Sequence, residues 1–449
     1  MRKSLAESRG LLWQLLLSGM MKGGGGLLTF VCFIFIARSA AVDEYGLFSI
    51  AFSSASLLCY VMVGGQHTAI LKFYPRVNDP GPISPAGKSV ILRSLRILGR
   101  LTLATSAIIL GGWFVARWAG PPMTSGATFS LVAFTLFLSA LLGLAEFFSS
   151  LFRARGQTLA GLWPRDLLWR LLMIAVFGLI LWLNAPGKLR ANLFTAGELA
   201  GIVAGLLAAA LSIQVARLAR DMSKVEKARD PFPGHLGADM QRSFRSFWAL
   251  GFLWPARGQL GTIIVGLMIN PAAAGAFFSA QRLAAVLLMV SVAINTAVGP
   301  EISRALAAND LHKAKRVFMT GSLVAGSASA AFMLLLVAVG DDLLALFDPS
   351  YRSFTPVLLM FAIGQAVFNA CGPLGVFLTL AERERTVLLA GVVATIATLV
   401  GVVILTRLYG PIGAATAIAG VTVLLNLYLA TVAWSVFRGS KRKAEGDGV

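Results

Sequence analysis

Residues Gly19–Phe30 read GMMKGGGGLLTF. The stretch lies inside an apolar run from Leu11 to Ala37, longer than the about 20 residues that cross a hydrocarbon core, so the run reads as a membrane span. Lys22 stands near its middle, an ammonium group where hydrocarbon is expected. Gly23, Gly24, Gly25 and Gly26 follow it and remove all bulk from the next turn. The basic start of the chain has the look of a signal peptide. The apolar run outlasts a signal's length and shows no small-residue cleavage site, so an uncleaved first span is expected.

The rest of the chain has the same character. Of 449 residues, 57% are hydrophobic and 13% charged, with a mean hydropathy of +0.78. Such a composition excludes an ordinary soluble domain and indicates a polytopic membrane protein. Twelve runs are long enough to span: Leu11–Ala37, Tyr45–Phe73, Leu92–Trp118, Thr128–Leu151, Leu167–Leu183 and Ala196–Leu218, then Ser246–Met268, Ala274–Val298, Val317–Val339, Pro356–Leu380, Thr386–Leu408 and Ile412–Val436. The runs are continuous and not alternating, so helices are expected and a barrel is not. Cys32, Cys59 and Cys371 are odd in number and lie in apolar runs, which predicts no disulfide.

The net charge of +19 is explained by topology. With the N-terminus inside, thirty of the 39 Lys and Arg residues fall on inner segments. Only Arg38, Arg117, Lys188, Arg190, Arg352 and Arg407 fall outside. The asymmetry predicts cytoplasmic N- and C-termini in a cell membrane, the inner membrane where there are two, with no need for nucleic acid. Three basic residues remain, Lys22, Arg257 and Arg282, and all three lie inside spans.

The longest connection divides the spans six and six. The expected organisation is an N-terminal lobe over 1–218, a cytoplasmic linker over 219–244, a C-terminal lobe over 245–437 and a basic cytoplasmic tail over 438–449. The halves echo each other near an offset of 230: Phe48–Ser49 with Phe278–Ser279, Arg153 and Arg155 with Arg383 and Arg385, and Asn78–Asp79 with Asn309–Asp310 one residue out. Two six-helix repeats are parallel, related by an axis along the membrane normal.

A charge at mid-bilayer costs about 2.5–3.5 kcal/mol on insertion scales. Lys22 lies roughly 16 Å from the inner end of its span, too deep to snorkel, and Arg257 is as deep. A water-filled cavity is the favoured setting for both, with a buried ion pair as the alternative. Glu146 and Glu198 are the acidic candidates for pairing or ion coupling, but neither matches the depth of the cations. Arg282, eight residues into its span, is near enough to the outer interface to snorkel in part. Gln259 and Gln281 neighbour the arginines and join them as candidate cavity residues. Gly23 to Gly26 would permit either bending or close helix packing. Gly64 and Gly65, in GGQHTAILKFYPR, read as a bend or gate, and His67 beside them as a surface histidine. No Walker sequence, metal cluster or large loop is evident, so no catalytic residue, cofactor or metal is expected.

The span count, the parallel repeats, VDEYGLFSIAFSSASLLCYVMVGGQHTAILKFYPR across the second span and LFRARGQ closing the fourth resemble Wzx-type oligosaccharide flippases. These belong to the multidrug/oligosaccharidyl-lipid/polysaccharide (MOP) exporter superfamily. The resemblance covers essentially the whole chain, and its motifs do not identify a substrate. It implies an all-α membrane protein of two lobes around a central cavity. It also implies a transporter, not an enzyme, that moves undecaprenyl-diphosphate-linked oligosaccharide by alternating access for O-antigen (lipopolysaccharide), exopolysaccharide or capsule synthesis. Cations of the first span and second lobe face the cavity in such flippases, and Lys22 and Arg257 match by place and charge. Membrane lipids, a polysaccharide polymerase and chain-length proteins are the partners this role implies. The alternatives are a multidrug or cation exporter of the same superfamily and a non-transport membrane enzyme of polysaccharide assembly. Multidrug members tend to carry acidic residues in the first spans, and Leu11–Ala37 has none.

Overall fold

The computed structural model describes residues 24–79, 81–119, 128–184, 192–225, 234–308 and 310–446. The described chain is helical and contains no strand beyond one isolated bridge between Ala40 and Phe194. The first six spans correspond to α1 (Gly24–Arg38), α2 with α3 (Val42–Val63, Gln66–Phe73), α4 (Pro85–Ala119), α5 (Phe129–Ala154), α6 with α7 (Thr158–Trp163, Trp169–Asn184) and α8 (Ala196–Ser223). The second six begin with α9 (Gly234–Met268), α10 with α11 (Pro271–Ala284, Leu287–Ala307) and α12 (Leu311–Ala345). They end with α13 and α14 (Thr355–Ala370, Leu374–Leu380) and α15 (Glu384–Gly446). Within α15 the backbone breaks at Gly410, at φ 63° and ψ −148°, directly before Pro411. A proline cannot continue the hydrogen-bond ladder, so α15 supplies two spans and the twelve expected helices are present.

Several elements show why the sequence folds locally as it does. Thr195 and Glu198 form a capping box at the start of α8: the Glu198 carboxylate accepts from the Thr195 N–H at 2.8 Å. The far end of α8 is held by Lys88, whose Nζ donates to the carbonyls of Met222 and Val225 at 2.9 and 3.0 Å, closing orphan carbonyls with a cation. Between α6 and α7 the chain runs through a π-turn over Pro164–Leu168.

By packing, the described chain forms two compact units, Ile34–Gly266 and a second made of the chain up to Phe33 with Leu267–Val449. These boundaries fall inside the first and seventh spans and not at the linker 219–244. In the first unit α2 packs on α5, and α5 on α8. In the second, α13 lies against α12 and α15, and α11 against α12.

The repeat is visible in detail at one of its three sequence matches. Ser49 and Ser279 are both fully buried, and each donates to the carbonyl four residues earlier, Tyr45 at 2.8 Å and Gly275 at 2.9 Å. The arginine match differs in its local backbone. The left-handed residue beside Arg155 is Gly156, and the one beside Arg383 is Glu382. Arg155 therefore precedes its turn, whereas Arg383 follows its own. Asn309 lies outside the described residues, so the third match has one half only.

Candidate functional site

The bend at Gly64–Gly65 is the best-defined polar feature of the Ile34–Gly266 unit. Both glycines are left-handed, at φ 54° and 68°. A Cβ on Gly65 would lie 2.7 Å from the carbonyl carbon of Phe247 and 2.8 Å from the N of Trp248, so the two backbones touch there. Below the bend, the His67 ring packs edge-on to Tyr60, with centroids 5.9 Å apart, and lies against Gly251, whose Cβ would sit 3.1 Å from His67 Cε1. His67 is half-buried against its own fold and is not the surface residue its sequence position suggests. Pro255 within α9 leaves the Gly251 carbonyl without its helical donor.

Tyr60 extends this cluster. Its hydroxyl donates to Glu146 Oε1 at 2.9 Å, and the same oxygen pairs with Arg165 Nη1 at 2.8 Å. Only 28% of the Arg165 side chain and 15% of Glu146 are exposed. Glu146 thus ties the bent second span to the π-turn of the fifth. A second pair, Arg155 Nη2 to Asp221 Oδ2 at 2.6 Å, joins the end of α5 to α8.

The expected cavity residues are divided between the two compact units, and some lie outside the described chain. Lys22 and Gly23 lie outside the described residues. Arg257 and Gln259 are half-buried on α9, and two positions apart they occupy nearly opposite sides, about 200° around the helix. The Gln259 carbonyl oxygen is buried without a hydrogen-bond partner. Gln281 and Arg282 lie in the last turn of α10. The Arg282 guanidinium is 4.5 Å from the ring centre of Phe278 and 5.6 Å from that of Phe33. It therefore rests against the first span on aromatic faces, where cation–π attraction replaces part of its hydration. Among the glycines, a Cβ on Gly26 would lie 2.3 Å from Met289 Cε, whereas one on Gly24 would meet nothing within 4 Å. Gly25 is buried and its carbonyl accepts from Thr29 Oγ1 at 2.6 Å. Glu198 is exposed and engaged in its helix cap.

Sequence reasoning treated Arg165 as an inner-segment charge, and so missed it as the partner of Glu146. Pro164 immediately before it was the available signal of an irregular turn. Asn369 was visible only as one polar residue among several. It is buried and donates to Leu287 O at 3.0 Å and Ser329 Oγ at 2.7 Å, and accepts from Ser291 Oγ.

The family model MatE matches residues 252–405, less than half of the chain. Two solved structures are similar over 93% of this chain. The Lipid II flippase MurJ in an inward closed conformation has a TM-score of 0.68 at 13% identity, with 87% of its chain covered. An inward-facing multidrug resistance MATE family transporter of the MOP superfamily has a TM-score of 0.67 at 12% identity, with 96% covered. The chain has the MOP-superfamily fold. A Haloferax volcanii protein described as a probable flippase, AglR, is 33% identical over 94 residues. That match spans 21% of this chain and 20% of the relative's length. By their descriptions one of these solved structures is a flippase and the other a multidrug transporter, and at 12–13% identity they show the fold of this chain. Within it, the described polar chemistry of this chain is of two kinds: ion pairs and hydrogen bonds that tie broken spans, and half-buried cations on α9 and α10.

Proposed function

We propose that this MOP-fold chain is a flippase that moves undecaprenyl-diphosphate-linked oligosaccharide from the inner to the outer leaflet of the cell membrane by alternating access, with both termini cytoplasmic. The observation that carries the reading is the sign of the charge held within apolar helices: Arg257 and Arg282 are half-buried there, and Lys22 belongs with them by sequence. A diphosphate must shed water to cross, and guanidinium and ammonium groups are suited to replace that hydration, the first as a fork and the second as a point charge. Similarity to a probable flippase and to a Lipid II flippase supports the same direction. Gln259 and Gln281 are assigned to sugar or phosphate contacts beside the arginines. The prenyl tail remains in lipid. The product would feed O-antigen, exopolysaccharide or capsule assembly, with a polymerase and chain-length proteins as downstream partners.

The division into lobes at 219–244 belongs to this proposal as a statement of the repeat, with 438–449 as a basic tail. Gly23 to Gly26 and Gly64–Gly65 are its hinge candidates. Glu146 is engaged by Arg165 and Tyr60, and Glu198 by its cap, so neither offers a free carboxylate for ion coupling. The membrane potential is then the main driving force, worth about 2.3 kcal/mol per unit charge per 100 mV. The equally similar multidrug MATE structure favours a second reading, export of an organic cation.

Proteoliposomes loaded with a fluorescent undecaprenyl-diphosphate oligosaccharide test the choice. Flipping should be abolished by Lys22→Ala and by Arg257→Ala, with both variants still present in the membrane. Arg282→Ala should retain more activity. Normal flipping by the first two variants would remove them from the site. Transport of an organic cation without flipping of the lipid would establish the second reading.

A further inference from the structure

The end of α4 nearest Pro85 carries charges that the transport reading does not use. Arg96 and Arg100 lie one helical turn apart and are exposed. Between Arg100 and Arg117, the 16 residues from Leu101 to Ala116 carry no charge. They rise about 24 Å, close to the about 30 Å of a hydrocarbon core. Arg117 stands over the Trp113 ring at 5.6 Å, the pairing expected at a membrane interface. Arg100 therefore marks the opposite interface. Leu103, Ile108, Phe114, Val115 and Trp118 along the same helix are all more than half exposed, as a lipid-facing helix requires.

Beside this stretch stands α3. A Cβ on Gly64 would lie 2.2 Å from Leu101 Cδ1, which fixes the bend at the level of Arg100. Lys72 follows the bend by eight residues, about 12 Å at the helical rise. Its Nζ lies 5.4 Å from the Phe73 ring centre and 5.5 Å from that of Phe247. The guanidinium of Arg76 lies 5.2 Å from the same Phe73 ring. One aromatic ring thus holds two exposed cations together. Among the described residues none of Lys72, Arg76, Arg96 and Arg100 is in a salt bridge. Four exposed cations of like sign, Arg100 at that interface and the others on its Pro85 side, need anions, and head-group phosphates are the anions that face such a surface.

We propose that Lys72, Arg76, Arg96 and Arg100 form a docking surface for anionic phospholipid, recognised through its phosphate diester. The arginines supply forked donors to phosphate oxygens, and the Phe73 ring holds Lys72 and Arg76 beside each other before lipid arrives. The surface is independent of the transported lipid and of the cations on α9 and α10.

Native mass spectrometry of the full chain, titrated in detergent with phosphatidylglycerol or phosphatidylcholine, tests this. Arg96→Gln with Arg100→Gln should weaken phosphatidylglycerol binding about 25-fold at low salt, about five-fold per cation, and leave phosphatidylcholine unchanged. Lys72→Gln with Arg76→Gln should act similarly. The comparison pair is Arg217→Gln with Arg220→Gln, which removes two exposed cations from the end of α8 and should change binding no more than two-fold. Unchanged melting in lipid-free detergent would show that the variants fold. Equal losses from the α4 and α8 pairs would reduce the effect to the general basicity of that face and overturn the proposal. So would a variant that keeps phosphatidylglycerol and loses only undecaprenyl diphosphate, because the surface would then serve the transported lipid.

Discussion

The second span of each repeat is broken, but by different means. In the first repeat, α2 and α3 part at Gly64 and Gly65, both left-handed. In the second, α10 and α11 part at Ala285 and Val286, whose backbone stays in the helical region at φ −64° and −57°. The first break is written in the backbone itself: glycine alone adopts that conformation cheaply, and the absent Cβ lets α9 approach to contact. The second break has a neighbouring side chain bonded just beyond it. Asn369 of α13 reaches the carbonyl of Leu287 and the hydroxyl of Ser291 just beyond it, and Ser329 of α12 as well. One duplicated span thus keeps a discontinuity, marked by the backbone in one repeat and by a side-chain contact in the other.

The largest effect should come from Gly65→Ala. A left-handed alanine costs about 1–2 kcal/mol, and its Cβ would also collide with backbone atoms of Phe247 and Trp248, which cannot turn aside. Little folded protein should be recovered by fluorescence-detected gel filtration. Gly64→Ala should be milder, because the atom in its way is the end of the Leu101 side chain. If Gly65→Ala accumulates and melts like the parent, the first break does not depend on that backbone contact.

Next comes Glu146→Gln. Removing one partner of a fully buried ion pair costs about 3–5 kcal/mol, and the partial exposure of Arg165 and Glu146 brings the expectation to about 2–3 kcal/mol. The amide oxygen can still accept from Tyr60, so the loss reports the charge and not the hydrogen bond. A double-mutant cycle with Arg165→Gln should give a coupling energy above about 1 kcal/mol. Coupling near zero would show that the bend is not tied to the π-turn.

A smaller loss is expected from Asn369→Ala. Ser291, Ser329 and the Leu287 carbonyl would each lose a partner, which sets the cost at about 1–3 kcal/mol. Hydrogen exchange should rise first at Leu287–Ser291, the start of α11. Exchange that rises elsewhere and not there would detach Asn369 from the break.

The same contrast explains what the sequence could tell. Span positions follow from hydropathy alone, and Gly410–Pro411 announces its own chain break between the last two spans. Gly64–Gly65 was legible as a bend for the same reason, since two adjacent glycines in a span have few other uses. The role of Asn369 was not, because the partners it meets on other helices lie 40 to 82 residues away and only tertiary packing brings them together. Arg165 was misjudged by depth: counted with the topology charges, it left Glu146 without a visible partner. The site cations were named from residue type and position, and Lys22 carries that reading without a described structure.

The smallest effect tests whether the two spans are still equivalent where neither is broken. Ser49 and Ser279 occupy matching positions, are both buried, and each returns its hydroxyl to the carbonyl one turn back. Such a bond satisfies the hydroxyl locally, and that carbonyl has a helical partner in any case. Replacement by alanine removes the hydroxyl and leaves the carbonyl its helical donor, so each exchange should cost under about 1 kcal/mol. If the repeats share their packing here, Ser49→Ala and Ser279→Ala should shift melting by the same small amount, within about 0.5 kcal/mol of each other. A large cost at one serine and none at the other would show that divergence between the two spans is not confined to the breaks. The hydroxyl with the larger effect would then have to serve a second neighbour in the membrane-embedded protein.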